Sequence, residues 1–464
     1  MTYQEKHEIR ICFWIFLFLL LTEGIFRRWL LPSLNNLFLV VRDPFILYAI
    51  YVGIKAGLLK DLPAIIMLAL SALCFLSAMI FGHGNIIVAM YGMRIILYYP
   101  FIYIAARVLS RNDVLKVGRI FVLLIVPMTI LCMIQFVSPQ SSIVNIGVGG
   151  DEGGAGFSGA MGYFRPPGIF TFIAALTDYY GVSFAFLLYF LVNKKDSKLM
   201  LLPEWGLYIS VLFYIISIPV SISRTHLVQT LLIIAFYFVV ALNDTKTLRR
   251  VITSAIIVVI LVVVVIFTVP DLDLFAKVFS ARFDDANSSE GGLLASAFER
   301  TFGWAIRAWE KSPLMGFGDG YFTNVGMKIL HGNVENYSGE IRTVVDSTEM
   351  EWGRVICEDG IILGSMIILT RFFISFNLLI RSRKSIYNND DLLPWLLLPF
   401  VMYLQLFGQL KTTYHLGFCV LMTICCLSIV NSNDKDLFLK QISSDLKDNV
   451  NNENNEKENS NISF

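Results

Sequence analysis

Charge is what this chain has least of: Asp, Glu, Lys and Arg make up 16% of its 464 residues, while 56% are hydrophobic. A soluble domain carries about a quarter charged residues, so this composition points to a polytopic membrane protein. Net charge is +1, and no overall field argues for a nucleic-acid or acidic partner. Cysteine is missing from the long polar stretches: Cys12, Cys74, Cys132, Cys357, Cys419, Cys425 and Cys426 all fall in or beside apolar runs. That excludes a disulfide framework and a cysteine-rich metal site. The five histidines are scattered, with no HExxH or paired spacing, and there is no Gly-x-Ser-x-Gly elbow. Zinc and serine-hydrolase chemistry therefore have no motif.

What the chain has is apolar length. A spanning helix needs about 20 apolar residues, and such windows lie near 10–26, 37–54, 63–81, 86–106, 118–137, 168–192, 203–220, 226–242, 251–269, 355–380, 392–410 and 413–430, twelve in all. The N-terminal "MTYQEKHEIRICFWIFLFLLLTEGIF" lacks a small-residue cleavage site and reads as a retained first helix. Two polar stretches, 138–167 and the 83 residues 270–352, follow helices five and nine and so share one side. With both termini cytoplasmic, the inner loops carry seventeen Lys and Arg, from Lys6 and Arg10 to Arg383 and Lys384. The short outer loops carry five: Arg27, Arg28, Arg165, Arg224 and Lys411. The positive-inside rule then makes 270–352 a long extracytoplasmic loop between helices nine and ten. The expected organisation is an all-α transmembrane domain, 1–430, and a polar cytoplasmic tail, 431–464, expected to be disordered.

The outer side gathers the unusual clusters. Arg27 and Arg28 beside Trp29 suit interfacial anchoring, whereas Arg165 in "GYFRPPGIF" and Arg224 in "SISRTH" are candidates for an anion site. A guanidinium at bilayer depth is costly and needs a partner, a cavity or a ligand. Arg94, with no acid within a turn, is a ligand-binding candidate; Arg42 and Asp43 read as a structural pair, and Asp178 as a partner for one of these arginines. The run "GVGGDEGGAGFSGAMG" lacks the Lys-Ser/Thr ending of a phosphate loop and reads as a flexible outer loop. In "GFGDGYF" the glycines suit tight turns and close backbone approach. Glu351, Arg354 and Glu358 share one helical stripe, either an inward ion-pair row or a general base facing an outer cavity.

Taken in order, "EGIFRRWLLP", "VVRDPF", "YFRPPGIF", "SISRTHL", "WEKSPLMGFGDGYF" and "EMEWGRVICEDGIILG" give a chain that resembles the bacterial O-antigen ligase and O-antigen polymerase superfamily over about residues 20–410. One position departs: where ligases carry a histidine about eleven residues before the last glycine of "EDG", this chain has Glu349. The resemblance implies a glycosyltransferase in the bacterial cytoplasmic (inner) membrane that uses polyprenyl-diphosphate-linked oligosaccharide on its outer face, polymerase-like, with ligation to lipid A core as the alternative. Its partners would be the lipid-linked donor, the bilayer and a chain-length regulator or flippase. The donor is already activated, so no cofactor or metal is expected. The residues it nominates are Arg94, Arg165, Arg224 and Arg300 for diphosphate and glycan, with Glu349 or Glu351 as base beside Arg224. Trp304, Trp309, Tyr321 and Phe322 would stack on sugars or form loop core. A transporter of lipid-linked sugar or anion is the rival, but the two halves show no internal similarity. A structural or regulatory envelope subunit is a third reading.

Overall fold

In a computed structural model, residues 1–242, 272–287, 298–331 and 350–434 are described. Among them the architecture is all-α apart from one two-stranded hairpin, β1 (Phe157–Ser158) with β2 (Phe164–Arg165). The helices are α1 (Tyr3–Ile25), α2 (Asp43–Lys55), α3 (Leu62–Ile80), α4 (Ile86–Val108), α5 (Arg111–Leu123), α6 (Ile125–Val137), α7 (Ile173–Val192) and α8 (Lys194–Leu199). After them come α9 (Glu204–Val220), α10 (Arg224–Ala241), α11 (Leu272–Asn287), α12 (Trp304–Lys311), α13 (Asn324–His331), α14 (Glu351–Asn389), α15 (Leu393–Phe407) and α16 (Thr413–Asp434).

Nine helical segments among the described residues are long and apolar enough to cross a membrane, and two shorter apolar helices, α9 and α15, occupy two more of the expected windows. The chain is a multi-pass membrane protein. The window at 251–269 lies outside the described residues. The window at 118–137 becomes Arg111–Val137, in which α5 ends at Leu123 and α6 begins at Ile125, with Leu124 between them.

Local chemistry sets the helix starts. Thr2 and Glu5 form a capping box on α1, Ser110 and Asp113 another on α5, and Asn85 caps α4. Burial then sorts the helices. The apolar window of α16 is entirely buried and that of α7 is 83% buried, whereas the spans of α2, α3, α10 and α14 bury only 33–39%. So α16 is the axis of the bundle, and the others turn broad apolar faces outward, as lipid-facing helices do. All seven thiols are buried and free, three of them on α16, where a small soft side chain packs tightly.

The connections separate into two ends. At one, here the loop end, the segments 26–42, 81–85, 138–172, 221–223, 298–331 and 408–412 touch one another or the adjoining helix ends. At the other, the turns are short and joined by Arg107–Asp61, Arg111–Asp196, Arg111–Asp391 and Arg381–Asp434 ion pairs. The alternation of sides expected from the sequence therefore holds along the described chain.

Candidate functional site

At the loop end one partly buried arginine feels the charge of two others carried by different elements. The first, Arg165, is on β2, opposite Phe157. The loop after it is pinned by two buried side chains: Arg28 donates to the carbonyls of Ile146, Val144, Gly168 and Phe170, and the Gln135 amide bonds both the N–H and the carbonyl of Gly168. Arg28 is thus a bracket for the "YFRPPGIF" loop, and the expected membrane-anchoring role is not what its contacts serve. The second, Arg224, opens α10. Ser223 caps that helix and its hydroxyl lies 3.1 Å from that of Thr177 on α7. Just before it, Ile222 is buried with φ +47°. A β-branched residue in the left-handed region is strained, and such strain concentrates where a turn must be held in one shape. Ile222 packs against the hairpin tip, its Cδ1 being 3.0 Å from where a Cβ on Gly159 would sit. The third, Arg282, lies on α11, whose Phe275 meets Phe136 edge-on at 4.6 Å between ring centres.

The electrostatics of Arg165 distinguish this cluster. Its Nε is buried without a hydrogen-bond partner among the described residues. Burial first, then the positive charges of Arg282 and Arg224, push its pKa down to about 10. It remains a cation at neutral pH, and among the described residues the charges that perturb it are those two arginines. Like charges in a partly dry site disfavour one another, and an anion among them relieves that repulsion. Planar guanidinium donors suit phosphate oxygens.

The other expected site residues go elsewhere. Arg94 binds Asp43 at 3.2 Å and the Leu39 carbonyl at 2.8 Å and lies over the Tyr91 ring. These partners make it a structural ion pair with Asp43. Arg42 and Asp43 do not pair with each other: Arg42 pairs with Glu23, which also holds Arg27. Asp178 takes His415, at 2.6 Å, in place of an arginine. The side chain of Arg300 and the whole of Glu349 lie outside the described residues.

Glu351, Arg354 and Glu358 do form the expected stripe, buried and closed. Glu351 Oε1 accepts from Arg354 (2.8 Å) and Arg371 (2.7 Å), and Oε2 from Arg354 Nε (3.2 Å) and the Leu410 N–H (2.9 Å). All four lone-pair directions of the carboxylate are thereby taken. The ion-pair reading of this stripe is the one the geometry carries, and Glu351 has no position left for a substrate hydroxyl.

The "GFGDGYF" glycines work as expected. Gly316, Gly318 and Gly320 all have positive φ, 75°, 103° and 84°. A Cβ on Gly316 would lie 2.2 Å from the Glu358 carbonyl oxygen, and one on Gly320 2.3 Å from that of Val88. The loop thus threads between α4 and α14 at the kink where Gly360 has φ +78°. Phe322, one of the candidate sugar-stacking rings, is buried in that packing, Tyr321 and Trp304 are half-buried, and Trp309 is exposed.

Two features escaped the sequence. Arg282 sits in "FSARFDD" with neither motif nor periodicity to single it out. The Asp178–His415 pair joins helices 237 positions apart, and distance along the chain hid it. No protein-family model, no curated protein and no solved structure matches the chain.

Proposed function

We propose that this protein is a polysaccharide polymerase-like glycosyltransferase that uses polyprenyl-diphosphate-linked oligosaccharide, and that the loop end of the bundle faces the outer side of a bacterial cytoplasmic membrane with both termini inside. What supports the reading is the partly buried Arg165 at the loop end, whose charge is made more costly by Arg282 and Arg224. In glycosyl transfer an acceptor hydroxyl attacks the anomeric carbon while the sugar–phosphate bond breaks and the electron pair leaves on the diphosphate. Fixed cations at the leaving oxygen favour that step most where water is scarce. The trio supplies them. The acceptor proton needs a base, and Glu349, one residue before the first described residue of the α14 approach, is the carboxylate nominated for it; Glu351 instead positions Arg354 and Arg371.

The test is the envelope polysaccharide ladder of a strain deleted for its own copy and carrying the intact chain or Arg224→Ala at matched membrane levels. Collapse of long chains to single repeat units that Arg224→Ala fails to restore supports the reading. Long chains that persist on the lipid carrier without reaching a final acceptor favour a ligase. Repeat units accumulating on the cytoplasmic side favour a transporter, and a normal ladder with Arg224→Ala removes the arginine from the site.

A further inference from the structure

The segment 298–311, a π-helical turn followed by α12, has three faces. Ala305 and Ala308 are buried against Ile356 and Cys357 of α14. Arg307, Glu310 and Lys311 are exposed on the opposite side, Arg307 paired with Glu299 at 2.6 Å. Between these two faces lies a third that is apolar and open: Phe298, Phe302, Ile306 and Trp309 are 66%, 37%, 59% and 49% exposed. Their spacing of four, four and three residues puts them on one stripe. A soluble loop would not hold such a stripe in water beside a charged face.

The stripe is continuous with the outward surface of a spanning helix. The Phe302 ring meets Trp352 edge-on at 5.3 Å, and Trp352 in turn packs on Phe372 of α14 and Phe407 of α15. Farther along α14, Leu369, Phe373 and Phe376 are more than half exposed, on a helix long and apolar enough to span. From this continuity we infer that residues 298–311 lie flat in the membrane interface at the loop end, with Phe298, Phe302, Ile306 and Trp309 among the acyl chains and Arg307, Glu310 and Lys311 in the headgroup water. The occupant of the stripe is lipid. Helices of this kind sink about 5–10 Å past the headgroup boundary, and Trp309 sits where interfacial tryptophans are favoured. With three bases and two acids on the segment, close to balance, the insertion is driven by apolar area and is indifferent to anionic lipid. The consequence is positional: α12 rides on the bilayer and fixes, through Ala305 and Ala308, the depth of the α14 segment that carries the Glu351–Arg354–Glu358 row. This inference stands whatever the arginine trio binds.

Nitroxide accessibility tests it on the full-length protein in phosphatidylcholine nanodiscs, with Ile306→Cys, Trp309→Cys, Arg307→Cys and Glu310→Cys labelled one at a time and the intact chain as blank for its seven buried thiols. Oxygen is expected to reach positions 306 and 309 better than a water-soluble nickel chelate, with the order reversed at 307 and 310. Nickel access at all four positions overturns the inference. So does low access of both reagents at 306 and 309, which places protein there, whether a segment of this chain or a second copy. A pattern that emerges only when phosphatidylglycerol is added also overturns it. Independently of any label, quenching of tryptophan fluorescence by dibrominated phosphatidylcholine is expected to fall in Trp309→Phe, and unchanged quenching contradicts the inference.

Discussion

At the short-turn end of the bundle, Arg107, Arg111 and Arg381 leave 35%, 31% and 24% of their side chains in contact with solvent, and each meets a carboxylate. At the loop end, Arg42, Arg354 and Arg371 leave only 3%, 2% and 3%, and the protein itself gives each a carboxylate. The difference is in who solvates the charge. Where water shares the work, an ion pair adds little; where it does not, each partner becomes indispensable. Against this background Arg165 stands out. It too is largely withdrawn from water, yet the charges that perturb it are cations. On that contrast rests the proposal that Arg165 belongs to an anion site.

The comparison can be broken at several points. The largest expected effect on stability is at Glu351. Glu351→Gln removes the charge that neutralises both Arg354 and Arg371, and a broken buried pair costs on the order of 3–5 kcal/mol. Thermal unfolding of the purified protein should show it, and a midpoint within a degree of the intact chain would mean that water reaches this row.

A smaller, pH-dependent effect is expected at Asp319 in the glycine loop. Burial first, then the nearby Asp359 and Glu358 carboxylates, hold its acid form well above the usual carboxylate range. The folded chain thus keeps a proton that the unfolded chain releases near an ordinary value of about 3.9. Stability therefore falls as pH rises through the interval between the two values. Asp319→Asn has no proton to release and is expected to raise the unfolding midpoint at pH 8 more than at pH 4. An equal shift at both would contradict the assignment. The smallest effect belongs to the other end: Arg381→Ala should cost no more than about 1 kcal/mol, and a loss as large as that at Glu351 would erase the distinction between the ends.

Much of the architecture was legible because a bilayer demands long apolar runs, which are a property of a linear chain. The role of "GFGDGYF" and the existence of the Glu351 stripe were legible for a similar reason, glycine spacing and helical stripes being local, whereas the choice between ion-pair row and base at Glu351 was not. What was not legible was pairing across the bundle. Arg94 with Asp43, Arg42 with Glu23 and Asp178 with His415 each join different elements, and no periodicity announces them. The same limit hid Arg282, while Arg28, read as an interfacial anchor from its neighbour Trp29, turned inward to four carbonyls because the "YFRPPGIF" loop packs over it.

The central claim is that Arg165, Arg224 and Arg282 form an anion site, and the most direct measurement is the affinity of the purified full-length protein in nanodiscs for farnesyl diphosphate, intact and as Arg282→Ala. Charge-assisted contacts to phosphate contribute roughly 1.5–3 kcal/mol each, so the account predicts binding weakened about 10- to 100-fold, with the monophosphate bound less tightly than the diphosphate by the intact chain. Equal affinity of the intact chain and Arg282→Ala, in protein that unfolds at the same temperature, would contradict it.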